Sequence, residues 1–202
     1  MPFRPDALLL ATGNSGKFLE MEAILREGLG ISSIGLGDLG LVGEPEEDGL
    51  SFVANARLKA EYWFSRARLP TLADDSGLVI PCLEGWPGIH SARIAKADRD
   101  RRALVLETLG KAGFSYELES TGVPAWFECA LVLKAPEKEW IAEGRLHGVL
   151  KLHETGTEGF GYDPIFYLPD SRSLANRPPA QKNSLSHRSL ALQSLMKKML
   201  AE

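Results

Sequence analysis

Four short stretches hold residue types able to do chemistry. "ATGNSGK" (11–17) joins an apolar run to a helical pattern and offers Thr12, Gly13, Asn14, Ser15, Gly16 and Lys17, the last in the helix's first turn. Backbone N–H groups at a helix start, the positive end of its dipole and one ammonium group make an anion site. A Walker A loop is excluded, because that pattern needs Gly at position 11 and Ser or Thr at 18, where the chain has Ala11 and Phe18. An ordinary Gly-Asn turn followed by a surface lysine fits the same residues.

Asp74 and Asp75 lie side by side, followed by Ser76, at the end of the apolar run "LPTLA". A carboxylate at a strand end can hold Mg²⁺ or act as a general base. Neighbours in extended chain point to opposite faces, so one of the two enters a given cleft. Glu44, Glu46 and Glu47 add carboxylates from a glycine-rich loop. Magnesium takes one or two protein carboxylates and leaves its other positions to water and phosphate oxygens. A tight Asp-Asp-Ser-Gly turn beside a solvated acidic loop fits equally well.

"QKNSLSHR" places Lys182, His187 and Arg188 around the start of the last helix. Three donors there can receive a phosphate or the acceptor atoms of a base; a solvated, capped helix start is the plainer alternative. A Ser-His-Asp triad through His187 and Asp163 is weak, since no G-x-S-x-G elbow exists and Ser186 reads as a cap. In "GFGYDP" (159–164), Phe160, Gly161, Tyr162 and Asp163 read either as an over-decorated turn or as a surface for a flat group. Gly159 and Gly161 would allow close backbone approach.

The elements that must position these residues follow from periodicity. "ALLLAT" (7–12) reads as a buried strand, and Phe18, Met21, Ile24 and Leu25 then recur at helical spacing, with Ser15 as the expected cap. Residues 31–36 read as the next strand, 37–49 as a loop, and 50–68 as an amphipathic helix capped by Ser51. Residues 69–83 read as a strand broken at Asp-Asp-Ser-Gly. Asp98 is expected to cap the helix that follows it. Residues 125–135 and 139–150 read as an antiparallel pair, and "ANRPPAQKN" as a Pro-rich segment. The final helix, capped by Ser186, is expected to bury Leu190, Leu192, Leu195, Met196 and Met199. Early strand–helix alternation and a late hairpin predict an α/β protein with a mixed sheet.

Composition narrows the function. Of 202 residues, 44% are hydrophobic and 25% charged, enough for a sizeable core and a solvated surface. A formal charge of −4 argues against broad nucleic-acid binding but not against a small anion met by a few local cations. Cys82 and Cys129 sit in apolar runs and read as buried free thiols. The brief apolar run near the N-terminus is too short for a signal or membrane span, so a cytoplasmic location without membrane contact is expected.

Taken in order, "LATGNSGK", "GLSFVANARLKA", "LADDSGL", "PGIHSAR", "GFGYDPIF" and "KNSLSHR" resemble the inosine/xanthosine triphosphate pyrophosphatases. These enzymes hydrolyse non-standard purine nucleoside triphosphates, and the resemblance runs from about Leu8 to Leu192. It implies one pyrophosphatase domain over residues 1–202, with an elongated mixed β-sheet flanked by helices and two lobes around a central nucleotide-binding cleft. It also implies a homodimer working with Mg²⁺, and the reaction NTP + H₂O → NMP + pyrophosphate. Carried over by motif position, Thr12 to Lys17 would bind the triphosphate and Ser76 would touch substrate. Asp75 would be general base and metal ligand, with Glu47 the second metal carboxylate and Glu44 a weaker choice. Phe160 to Asp163, Lys182, His187 and Arg188 would surround the nucleoside.

Two departures from the family's pattern stand out: His90 and Ile94 where aromatic residues are common, and "ANRPPAQ" where an acidic segment is common. Trp86 marks one candidate stretch of dimer surface. A nucleotide sensor without turnover and a pyrophosphatase for modified pyrimidine triphosphates are the alternatives. Lys17 and Asp75 argue against the first, and "SHR" with "GFGYD" against the second.

Overall fold

The computed structural model describes residues 3–201. Strand β1 (Ala7–Leu10) is the apolar run "ALLL", whose last three residues are buried. Helix α1 (Ser15–Leu29) follows, then β2 (Ser32–Gly35), which pairs parallel to β1 with Ala7 opposite Ser32 and Leu10 opposite Gly35. Gly30, in the left-handed region at φ 67°, ends α1 by donating its N–H to the Arg26 carbonyl.

The remaining main elements are α2 (Phe52–Ala67), β3 (Thr71–Val79), α3 (Asp98–Lys111), α4 (Ser115–Glu119), β4 (Val123–Lys134), β5 (Glu139–Leu150), β6 (Phe166–Tyr167), α5 (Pro179–Leu185) and α6 (His187–Leu200). One six-stranded sheet runs in the order β2-β1-β3-β4-β5-β6. Its β1–β3 pairing is parallel and its β5–β6 pairing antiparallel, and paired hydrogen bonds between Ala135 and Lys138 turn β4 back into β5. The expectation of a mixed sheet flanked by helices is met.

The chain groups into two compact units. The first comprises the chain up to Asp75, Cys129–Gly144 and the chain from Ser186 on; the second comprises Ser76–Glu128 and Arg145–Leu185. The core of the first gathers Leu8, Leu10, Met21, Leu25, Leu72, Leu131, Leu133 and Trp140 with Leu192, Leu195 and Met199 of α6. Those last three side chains are wholly buried, each contributing about 1.5–3 kcal/mol by removal from water, which fixes α6 on the sheet. The core of the second gathers Leu78, Ile80, Val105, Leu109, Phe127, Leu150, Tyr162, Ile165 and Phe166.

Several local expectations are corrected. Asn14, not Ser15, caps α1: its backbone is extended and its side chain accepts the Lys17 N–H at 3.0 Å, while Ser15 is already helical. The caps Ser51 and Ser186 stand as expected. Asp98 opens α3 without capping it; Ala97 holds the cap position with no side-chain bond. Strand β3 runs unbroken through Asp-Asp-Ser-Gly; β1 pairs only with its start, Thr71 and Leu72, and β4 is its neighbour on the other side. The Pro-rich segment supplies α5, whose first residue is Pro179, where a missing N–H does no harm. Leu190 is 37% exposed, one step off the buried stripe of α6. Cys82 is exposed, since residues 81–83 form a 3-10 turn that leaves the strand, whereas Cys129 is buried. Trp86 is half-buried and packs against the second core.

Candidate active site

The first unit assembles acids and cations around the end of β1 and the middle of β3. Lys17, on the first turn of α1, reaches Asp74 Oδ2 at 2.8 Å. Arg188, the second residue of α6, donates to Glu20 Oε2 at 2.6 Å and lies 3.4 Å from Asp74 Oδ2. Glu20, on α1, also accepts the Ser186 hydroxyl. These groups are nearly dry: Asp74 and Arg188 are each 1% exposed. Burial opposes ionisation of Asp74, but Lys17, Arg188 and Lys59 outweigh it and hold its carboxyl below the usual range. Burial likewise opposes the Arg188 charge, and Asp74 and Glu20 more than restore it.

Asp75 points the other way from β3, as strand alternation requires. Its Oδ1 lies 3.2 Å from the Lys59 ammonium and its Oδ2 accepts from Asn55 Nδ2 at 3.2 Å. Lys59 also meets Glu47 Oε1 at 3.0 Å. Two carboxylates from distant parts of the chain therefore share one ammonium group. Asn55 in turn accepts the Gly49 N–H at 2.9 Å, which ties the acidic loop to α2 just beyond Glu47. Burial raises the Asp75 pKa above the carboxylate norm; Lys59 and Lys17 pull it down, while Glu47 and Asp74 push it up. For Lys59, burial works against the charge, but Asp75, Asp74 and Glu47 together raise its pKa. Glu44 and Glu46 are exposed, whereas Glu47 is half-buried, which favours Glu47 among the three.

The second unit carries the aromatic loop. Asp163 Oδ2 accepts the Phe160 N–H at 2.9 Å and the Lys182 ammonium at 2.6 Å, and that ammonium sits 4.5 Å over the Phe160 ring. Tyr162 is 5% exposed, packs in the core, and donates its hydroxyl to the Ser91 carbonyl at 2.7 Å. Burial pushes its phenol well above the ordinary value. The Gly161 N–H donates to Asp98 at 2.8 Å, and its carbonyl accepts from Arg102 at 2.9 Å.

Of the residues singled out in the sequence, the fold brings Lys17, Asp74 and Arg188 together, and Asp75 with Glu47. It joins Lys182 to Phe160 and Asp163. Arg188, six residues after Lys182, meets the acids Glu20 and Asp74. His187, 7% exposed, begins α6, and Ser76 is partly exposed on β3. Sequence reasoning missed Lys59, Asn55 and Glu20. A signal existed for the first two: they sit on the stripe Phe52, Asn55, Ala56, Lys59, Ala60, Trp63, where apolar residues belong.

A mixed six-stranded sheet, with Lys17 behind a strand–turn–helix and two acids sharing Lys59, defines the α/β class of the chain. The chain belongs to the Ham1 family, whose model matches residues 8–198. It is 43% identical to a dITP/XTP pyrophosphatase of Legionella pneumophila (strain Lens), over 93% of this chain and 95% of that protein. Against a dITP/XTP pyrophosphatase of Haemophilus influenzae identity is 38%, over 95% and 98% of the two chains. A solved HAM1 protein from Coxiella burnetii superposes with a TM-score of 0.83 at 36% identity, covering 97% of this chain and 99% of its own.

Proposed function

We propose that this protein hydrolyses non-standard purine nucleoside triphosphates (dITP, ITP and XTP) to the monophosphate and pyrophosphate, clearing them from the nucleotide pool. The observation that carries the reading is the convergence of Asp75 and Glu47 on Lys59, in the same unit as the "TGNSGK" turn with Lys17. Whole-length similarity to relatives named dITP/XTP pyrophosphatases supports the substrate class.

The donor set fits Mg²⁺. Among the described residues no group of three or more His, Cys, Asp or Glu could hold a metal, and two carboxylates are what magnesium takes when phosphate and water supply the rest. That Glu47 and Asp75 already share one cation shows that they can approach a common positive charge. Bound there, Mg²⁺ would supply Lewis-acid neutralisation of phosphate oxygens.

The chain's own groups divide the remaining work. Asp75 takes the proton of the water that attacks the α-phosphorus, and the bond to the bridging oxygen breaks with pyrophosphate as leaving group. Lys17, Lys59 and the N–H groups at the start of α1 offset the charge that moves onto pyrophosphate. The base is assigned to the aromatic loop, with Phe160 as the stacking ring, because Tyr162 is committed to the core. The hydrogen bonds of Asp163 support a role in holding the loop and Lys182. Hypoxanthine and xanthine present O6 as an acceptor where adenine presents a donor. His187 or a backbone N–H would pair with O6 and face another donor in adenine, a mismatch able to supply discrimination up to about 10⁴–10⁵. A homodimer in the cytoplasm completes the reading. Among the described residues no helix is long and apolar enough to cross a membrane.

Pyrophosphate release from ITP, dITP, XTP, GTP and ATP, with and without Mg²⁺, tests the proposal. Release from the first three at kcat/KM far above ATP, and only with the metal, is expected. Equal values for ITP and ATP would remove the argument from O6, and no release from any would leave a binding protein.

A further inference from the structure

We propose that Asp98 and Arg102 of α3 are positioning residues for the base: together they grip both polar groups of Gly161 and so set where Phe160 lies. This rests on the assignment of the aromatic loop to the nucleoside. Gly161 has φ 63°, a left-handed conformation that glycine enters and leaves at little steric cost, so its own angles do not fix the turn and its polar partners decide where the loop lies. Its N–H donates to Asp98 Oδ2 at 2.8 Å, and its carbonyl accepts from Arg102 Nη1 at 2.9 Å. The two side chains stand four residues apart, one helical turn, and therefore share a face of α3.

Each gripping group is itself held. Glu154 takes Arg102 in a two-point fork, Nε to Oε1 and Nη2 to Oε2, both at 2.9 Å. Arg101 binds the second oxygen of Asp98 at 2.6 Å, and its other nitrogens bind the Ala95 and Lys96 carbonyls at 2.8 and 2.9 Å. An acid at the start of a helix ordinarily serves its own orphan N–H groups. Here α3 goes without a side-chain cap while Asp98 turns to a residue 63 positions later in the chain. Just before Gly161, the Phe160 N–H is fixed by Asp163 at 2.9 Å. The peptide units on both sides of Phe160 are thus anchored, and releasing the Gly161 anchor frees the ring to leave its stacking position.

The test uses Arg102→Ala, Arg102→Lys and Asp98→Asn in the full chain. For Arg102→Ala, KM for ITP and the inhibition constant of IMP should rise about tenfold, equivalent to about 1.4 kcal/mol. The kcat should stay within about twofold and inhibition by pyrophosphate should not change, because that product carries no base. Arg102→Lys should fall between, since an ammonium can reach the Gly161 carbonyl but cannot form the fork with Glu154. Hydrogen exchange should speed up across residues 159–163 while α3 stays protected. Unchanged KM in an active wild-type background would overturn the proposal, and so would equal losses in kcat and pyrophosphate binding. Unchanged exchange of the loop in Arg102→Ala would overturn it whatever the turnover. Absence of ITP cleavage by the wild type would strike the functional reading instead, leaving the exchange result to judge the clamp.

Discussion

Replacing Lys59 by Met removes an ammonium group while keeping the length of the side chain. Lys59 is 12% exposed and lies 3.0 Å from Glu47 and 3.2 Å from Asp75, so the variant removes the ammonium group that these two part-buried carboxylates share. Breaking a buried pair from one side costs about 3–5 kcal/mol. A second route gives an upper bound, because Asp75 can escape the penalty by taking up a proton. About three pH units separate neutrality from an ordinary Asp, and at about 1.36 kcal/mol per unit protonation at pH 7 costs about 4 kcal/mol. Both routes point to a loss of about 3–4 kcal/mol at pH 7, which for a chain of this size lowers Tm by about 6–16 °C.

The same bound shrinks on acidification, to about 1.5 kcal/mol at pH 5. The sign follows from linkage: burial already raises the Asp75 pKa in the folded wild type and losing Lys59 raises it further, so folding of the variant takes up more protons and lower pH narrows the gap to wild type. Adding Mg²⁺ at pH 7 should restore part of the loss and stabilise the variant more than the wild type. Calorimetry at pH 7 and pH 5, with and without the metal, measures all three effects. A Tm within about 2 °C of wild type at pH 7, or a deficit equally large at pH 5, would refute the shared-cation account.

Further tests separate chemistry from scaffolding. Asp75→Asn should lose most pyrophosphate release while keeping cooperative unfolding; near wild-type kcat in saturating Mg²⁺ would remove Asp75 from the general-base role. Phe160→Ala should raise KM for ITP several-fold with little change in Tm, since its ring is only half-buried. Tyr162→Ala should instead destabilise the second unit by about 3–5 kcal/mol, because it empties a core site and strands the Ser91 carbonyl. Urea unfolding followed alongside ITP kinetics distinguishes the two, and a pure KM effect at Tyr162 would return that ring to the base site.

Much of the framework was readable because its signals are local. A continuous apolar run made β1, a 3.6-residue rhythm made α1 and α2, and Ser51 and Ser186 stood where helix starts need a side-chain acceptor. Where two neighbours were both capping types, Asn14 and Ser15, only the realised backbone angles chose between them. The Asp-Asp-Ser-Gly stretch misled for the opposite reason. Its turn preference is local, but the stretch is the continuation of a nine-residue strand inside the sheet, and that tertiary setting overrides it.

By itself, then, the sequence determined the chemistry available: an ammonium behind a glycine turn, adjacent acids on a strand, aromatics between glycines, and donors before the last helix. It also determined the mixed α/β class, through the early alternation of strands with helices and the late hairpin. Tertiary structure decided the partnerships. It put Arg188 on Glu20 and Asp74, drew Glu47 and Asp75 onto Lys59, buried Tyr162 and left Phe160 beneath Lys182. Periodicity is written between near neighbours, whereas a buried charge is matched by whichever opposite charge the packed cores bring within a few ångströms.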